Sequence, residues 1–204
     1  MTGHQLRIDG AIDDTGRHDD QDSAYWPTPA WCTRLLLQEH PPFPGSLVWE
    51  PSAGDGAIVR ELYWAGYEVT AVEQRAECRD KLVRANARWV VTADWLSQAV
   101  AVGSSIVGNP PYNPASEMLA HVRHAVMQDA DYIAMLLPLN WLASRSRYAL
   151  NSEHPPTHCY PLAERPVFAD GGGMRDIAWF VWDRTNRKYD PALRVLSKEM
   201  LRDA

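Results

Sequence analysis

Cysteine is scarce in this 204-residue chain: Cys32, Cys78 and Cys159 are the three present, far apart and in no CxxC spacing. An odd number leaves one unpaired in any disulfide scheme, so they read as reduced thiols of the core or surface. No stretch approaches the roughly 18 unbroken apolar residues that a spanning helix needs, and the opening MTGHQLRIDGAIDDTGRHDDQD lacks the basic-then-apolar order of a signal peptide. The expectation is a soluble, intracellular protein with no membrane partner. The glycines of LVWEPSAGDG continue neither into GKS or GKT nor into GxGxxG, which excludes the two commonest phosphate-loop signatures. His154, His158 and Cys159 lack a fourth ligand in a proline-rich stretch, which predicts no metal.

Lysine is nearly absent as well. Of the 20 basic residues 17 are arginine, whose planar fork suits bidentate phosphate contacts, while much of the acid sits in the N-terminal tail and the first half. The net charge of −6 argues against tight, sequence-blind binding to a polyanion but leaves room for a local basic face.

With 46% hydrophobic and 23% charged positions, the chain can bury one sizeable core. Residues 1–22 are polar and rich in Asp and Gly, which predicts a flexible acidic arm before a domain over 23–188. Leu193, Leu196, Met200 and Leu201 have helical spacing, which predicts a helical tail over 189–204. Between them, helical patterns at 29–39, 57–65, 76–86 and 114–127 alternate with apolar or β-branched runs at 46–49, 67–72, 88–91, 105–107 and 132–137. Two more strands, at 163–168 and 177–182, flank the loop ADGGGMRD and predict an antiparallel hairpin. The rhythm implies an α/β fold with a doubly wound, mainly parallel sheet, where ligands bind beyond the carboxyl ends of the strands.

Chemistry should therefore sit in the loops after strands. In LVWEPSAGDG, Glu50 ends a strand and suits the cationic part of a ligand, Pro51 and Ser52 lead into the loop, and Gly54 and Gly56 let the backbone approach a ligand before a helix N-terminus. Glu73 ends the next strand, about 20 residues on, the offset at which an acid accepts from ribose hydroxyls in nucleotide-binding α/β folds. After the third strand, Asp94 can accept from an adenine amino group and Trp95 can pack on the ring, although Asp94 is equally a good N-cap. After the fourth comes IVGNPPYN: Asn109 offers a carbonyl oxygen, Pro110 and Pro111 stiffen the backbone, and Tyr112 offers a flat face.

These segments resemble the class I S-adenosylmethionine-dependent amino-methyltransferases, specifically the adenine-N6 DNA methyltransferases with an NPPY motif. The resemblance spans roughly residues 25–182, and the order YWPTP, glycine loop, NPPY matches the family's gamma arrangement. It implies a seven-stranded Rossmann-like sheet with S-adenosylmethionine as cofactor. YWPTP, with Tyr25, Pro27 and Thr28, would close over the methionine part; Glu50, Pro51, Ser52, Gly54 and Gly56 would form the cofactor loop. Glu73 would hold the ribose, and Asp94 and Trp95 the adenine. Asn109 would face both cofactor and target.

On the substrate side the resemblance implies that Tyr112 and Asn113 border the target base and that Phe168, or else Trp179, packs on it; Arg145 and Arg147, after the NPPY half of the sheet, and Arg165 and Arg175, flanking the hairpin, are placed to grip phosphates beside it. Asn109 Oδ1 and the Pro110 carbonyl would take both hydrogens of the adenine amine, freeing its lone pair for in-line attack. A duplex substrate would have to extrude the base, at a few kcal/mol. The expected partner is DNA, with RNA adenine, a protein glutamine amide, or a binding-only regulatory role as alternatives, and with sequence specificity drawn from 142–165, 169–176 or a separate partner. By resemblance the setting is a bacterial or phage cytoplasm.

Overall fold

The computed structural model describes residues 27–168, 175–185 and 192–193. Tyr25, the arm 1–22, most of the loop after Phe168 and most of the tail lie outside the described residues.

Eight strands form one sheet in the order β3-β2-β1-β4-β5-β7-β6-β8. The strands β1 (Leu47–Pro51), β2 (Glu68–Val72), β3 (Trp89–Val91), β4 (Ser105–Gly108) and β5 (Tyr132–Pro138) are mutually parallel, while β7 (Ile177–Asp183) runs antiparallel to both β5 and β6 (His158–Pro161). The seven longer strands give the expected mainly parallel, doubly wound sheet with an antiparallel end. Ala192–Leu193 is β8, a two-residue parallel strand against β6. That part of the expected helical tail is therefore extended, its backbone taking up the free edge that β6 leaves.

All seven residues of β5 and all seven of β7 are buried, which is what helices on both faces require of central strands. On one face α1 (Ala30–Glu39), α2 (Ala57–Trp64) and α3 (Arg79–Arg84) pack Leu35, Leu36, Ile58, Leu62 and Leu82 against Val48, Val69 and Val107. On the other, α4 (Ala115–Met127) packs Val122 and Val126 with Ile133, Met135 and Trp141. Cys32, Cys78 and Cys159 are free and buried.

Other expectations are corrected as well. The hairpin strand lies at His158–Pro161, paired from His158 with Val181 to Pro161 with Ala178, and 163–168 forms no strand. In that stretch Arg165 donates from Nε to Asp176 Oδ1 at 2.8 Å. The stretch after Trp141 contains α5 (Tyr148–Glu153), and the helix expected over 76–86 splits into a 3₁₀ turn at Ala76–Cys78 followed by α3. Among the described residues no helix is long and apolar enough to cross a membrane.

Glycine is demanded at two places that set the site. Gly56 takes φ +81° to start α2, and a Cβ there would stand 2.5 Å from Ala85 Cβ. Gly108 ends β4, where a Cβ would meet Pro51 Cδ at 2.9 Å. Gly56→Ala combines a left-handed backbone with overpacking against α3, so we expect a loss of about 2 to 4 kcal/mol in unfolding free energy, read as a lower urea midpoint at unchanged m value.

Candidate functional site

The carboxyl ends of β3, β2, β1 and β4 deliver Asp94, Glu73, Glu50 and Asn109 in spatial succession to one edge of the sheet. Between them lies a cavity of about 250 Å3, which Pro27, Thr28, Ser52, Gly54, Trp95 and Tyr112 also line.

Three residues that line this cavity each bury an acceptor without a hydrogen-bond partner: Glu50 at Oε2, Asp55 at Oδ1 and Asn109 at Oδ1. Leaving a buried acceptor unpaired costs about 1 to 3 kcal/mol, so three on one cavity mark a place for a ligand rich in N–H donors or positive charge. Burial pushes the Glu50 carboxyl well above the usual range; a hydrogen bond from the Val59 backbone opposes this, and the nearby Asp55 and Glu73 carboxylates add to it. Asp55 has weak company in Arg60, with Nη2 at 3.9 Å from Oδ1. Asn109 is held by donating from Nδ2 to Thr28 Oγ1 at 3.0 Å, while its carbonyl oxygen is buried without a partner of its own. The loop is strained where it meets the cavity, with Ser52 at φ 59°.

Glu73 is equally buried and behaves oppositely. Its Oε2 accepts from Gly54 N at 2.8 Å, and its Oε1 from Arg75 N and Nε at 3.0 and 2.9 Å, with Arg75 Nη2 on Oε2 at 3.2 Å. Burial would raise its pKa, but the Arg75 and Gly54 hydrogen bonds outweigh that and hold the carboxyl below the usual range. Arg75 and the Gly54 amide thus occupy both Glu73 oxygens.

Tyr112 has a half-buried ring and a deeply placed hydroxyl that donates to the Leu136 carbonyl at 3.0 Å. Burial drives its pKa well above the ordinary value, with Cys32 adding and Arg175 opposing, so it stays a neutral donor. Phe168 meets it edge-on, ring centroids 6.3 Å apart.

Several expected site residues do other work. Trp179 is fully buried and its indole donates to the Cys32 carbonyl at 2.8 Å, which removes it from any base contact. Arg147 is 9% exposed, its guanidinium on the Trp141, Asn140 and Ala143 carbonyls, so it braces the turn after β5 instead of reaching a phosphate. Pro51 and Gly56 do not line the cavity; they make the close packing that shapes it. Asn113 is exposed and off the cavity. Phe168 is 2% exposed, so its ring is spent on packing beside Tyr112. Trp95 borders the cavity but is 2% exposed, its indole donating to the His121 carbonyl at 3.4 Å. Asp94 serves as the N-cap of the following turn, accepting from Leu96 N at 3.0 Å, and still borders the cavity. Arg145 and Arg175 are exposed.

Sequence reasoning missed Asp55, Arg75, Glu117 and His121, all of which border the cavity. Glu117 and His121 are a polar pair four apart on an otherwise apolar helix face beside Met118 and Val122, and that was the available signal. Among the described residues no group of three or more His, Cys, Asp or Glu is placed to hold a metal ion.

No family model and no curated protein matches the sequence. Solved structures do match its fold. A protein of Pyrococcus horikoshii described as an RNA methyltransferase aligns at TM-score 0.59 and 16% identity over 74% of this chain and 80% of its own. A protein of Vibrio vulnificus described as the modification subunit of a type I restriction enzyme aligns at 0.63 and 16%, over 87% of this chain but 48% of its own. The 23S rRNA methyltransferase ErmE aligns at 0.58 and 20%, over 78% and 70%. The sheet is thus a Rossmann-like fold that methyltransferases share.

Because the folded-state pKa of Glu50 is raised, its contribution to stability is complete below the unfolded carboxylate pKa and is lost as pH rises through the folded value. Glu50→Gln lacks that loss. Urea unfolding should show the variant gaining on the parent as pH rises from 5 to 8, while its affinity for a cationic ligand falls; equal stability at every pH would mean that Glu50 is not strained.

Proposed function

We propose that this chain transfers a methyl group from S-adenosylmethionine to the N6 amino group of adenine in DNA. The observation that carries the reading is Asn109: a buried carbonyl oxygen without a partner, at the end of β4, directly before Pro110, Pro111 and Tyr112. The residues around the cavity suit the cofactor. Glu50 and Asp55 present unpaired carboxylate oxygens to its cationic portion, Glu73 is an ionised acceptor pair for a ribose once Arg75 withdraws, and Asp94 lies one strand further out for the adenine. Bound there, the cofactor would supply an electrophilic methyl on sulfur, released as its S–C bond breaks and the new N–C bond forms.

The chain's own residues address the nucleophile. An adenine amine is a poor one while its lone pair is delocalised into the ring. Asn109 Oδ1 and the Pro110 carbonyl would each accept one N–H, and Tyr112 offers a ring face for stacking. Holding amine and methyl about 3 to 3.5 Å apart accounts for much of the rate, and the methylated amine then loses a proton to water, so no general base is needed. The names of the structural relatives favour nucleic acid as the polymer, and two of the three named act on RNA; RNA adenine is therefore the second reading. Exposed Arg145 and Arg175 are the remaining candidates for phosphate contacts. Sequence specificity would draw on 142–165, on the loop after Phe168 or on a separate partner.

Incubating the protein with methyl-labelled cofactor and duplex DNA, single-stranded DNA, RNA or protein extract, followed by mass spectrometry, should yield N6-methyladenine in DNA. Label in RNA or glutamine alone would transfer the chemistry to another polymer, and cofactor binding without transfer would indicate a regulatory protein. Asn109→Ala should lower turnover about 100-fold or more, with a much smaller change in cofactor affinity; equal losses in both would remove Asn109 from the reacting centre. Tyr112→Ala should weaken binding of the target polymer by about 1 to 3 kcal/mol, whereas Tyr112→Phe, which keeps the ring, should not.

A further inference from the structure

His121 is buried at 6% exposure on α4 and is used by none of the chemistry above. Its Nδ1 lies 3.0 Å from the Glu117 carbonyl. A carbonyl can only accept, so Nδ1 carries the hydrogen, and Nε2 is then a bare acceptor. Nε2 makes no hydrogen bond and is not sealed from solvent, and His121, enclosed as it is, lines the cavity.

The position of His121 is fixed by two ties from α4 to the segment after β3. Trp95 donates its indole N–H to the His121 carbonyl, and His124 Nε2 lies 2.8 Å from the Gln98 carbonyl. Those ties hold α4 against the segment that carries Asp94, which follows β3, the strand furthest from Asn109 in the sheet order, and His121 and Asp94 line the same cavity. Asp94 is exposed and has committed one oxygen to Leu96, leaving the other. Glu117, one turn before His121, adds a carboxylate to the same lining. All three side chains present acceptors.

We infer that His121 is a specificity-determining residue, whose Nε2 accepts a hydrogen from the 6-amino group of the cofactor's purine and so rejects a 6-oxo purine at that end of the cavity. The inference rests on the proposed cofactor reading and adds to it a residue and a selection rule. A 6-amino group brings two N–H donors to a wall of acceptors. A 6-oxo group would face those acceptors with its own lone pairs and leave them unpaired.

The test is calorimetric binding of S-adenosylhomocysteine and of its 6-oxo counterpart, S-inosylhomocysteine, to the full chain and to His121→Leu and His121→Gln. The quantity read is the ratio of the two affinities within one protein, so any general loss of stability cancels. The parent should prefer the amino form by at least about 10-fold. His121→Leu should lower that preference by about 5-fold or more, and His121→Gln, which keeps an acceptor oxygen, should recover part of it. Binding of the amino form with the same preference in parent and His121→Leu would overturn the role of His121 and leave the cofactor reading standing. Absence of binding by either ligand to the parent would overturn the cofactor reading and this inference together.

Discussion

Five parallel strands can be joined only by crossovers, so every strand from β1 to β5 is entered at one edge of the sheet and left at the other. The polar residues that end those strands have nowhere else to gather. Glu73, Glu50 and Asn109 share a cavity because β2, β1 and β4 are neighbours, although the residues are 23 and 59 positions apart in the chain. Two steric demands keep the edge intact: Gly56 lets α2 rest on α3, and Gly108 lets β4 lie against Pro51.

That edge carries uncompensated polarity. Glu50, Asp55 and Asn109 each hold a buried oxygen without a partner, whereas Glu73 has taken Arg75 and the Gly54 amide as substitutes. The contrast has a local cause. Arg75 follows two residues after Glu73 and can fold back on it, while Glu50 is followed by Pro51, Ser52 and Ala53, none of which offers a cation. A chain selected for stability alone would pair or replace these groups; leaving them open favours a ligand that supplies the missing donors.

Aromatic and arginine side chains were the residues whose roles changed most between sequence and structure. Trp179 and Phe168 both fall in the expected hairpin region, but a central strand buried on both faces turns Trp179 into core, and Phe168 closes over the Tyr112 ring. Arg145 and Arg147 are two residues apart in a run that reads as uniformly surface. The 3₁₀ turns after β5 send one outward and bring the other under three carbonyls. Whether an arginine meets solvent, a phosphate or the protein's own backbone depends on orphan carbonyls nearby, which a sequence does not display.

By itself the sequence determined the alternation of strands and helices, because burial on both faces leaves continuous apolar runs and amphipathic helices leave a period of 3.6. It also placed Glu50, Glu73, Asp94 and Asn109 at strand ends, because in a parallel sheet a strand end is a position in a loop whatever the partner strand. The tertiary structure alone decided which side chains share the cavity. Glu117 and His121 enter it through the packing of α4, and Asp55 and Arg75 through the folding of the loops beside Gly54 and Glu73, and the strand beside β7 formed at 158–161, not 163–168. Local pattern records which face a residue presents; the neighbours on that face are a property of the packed sheet.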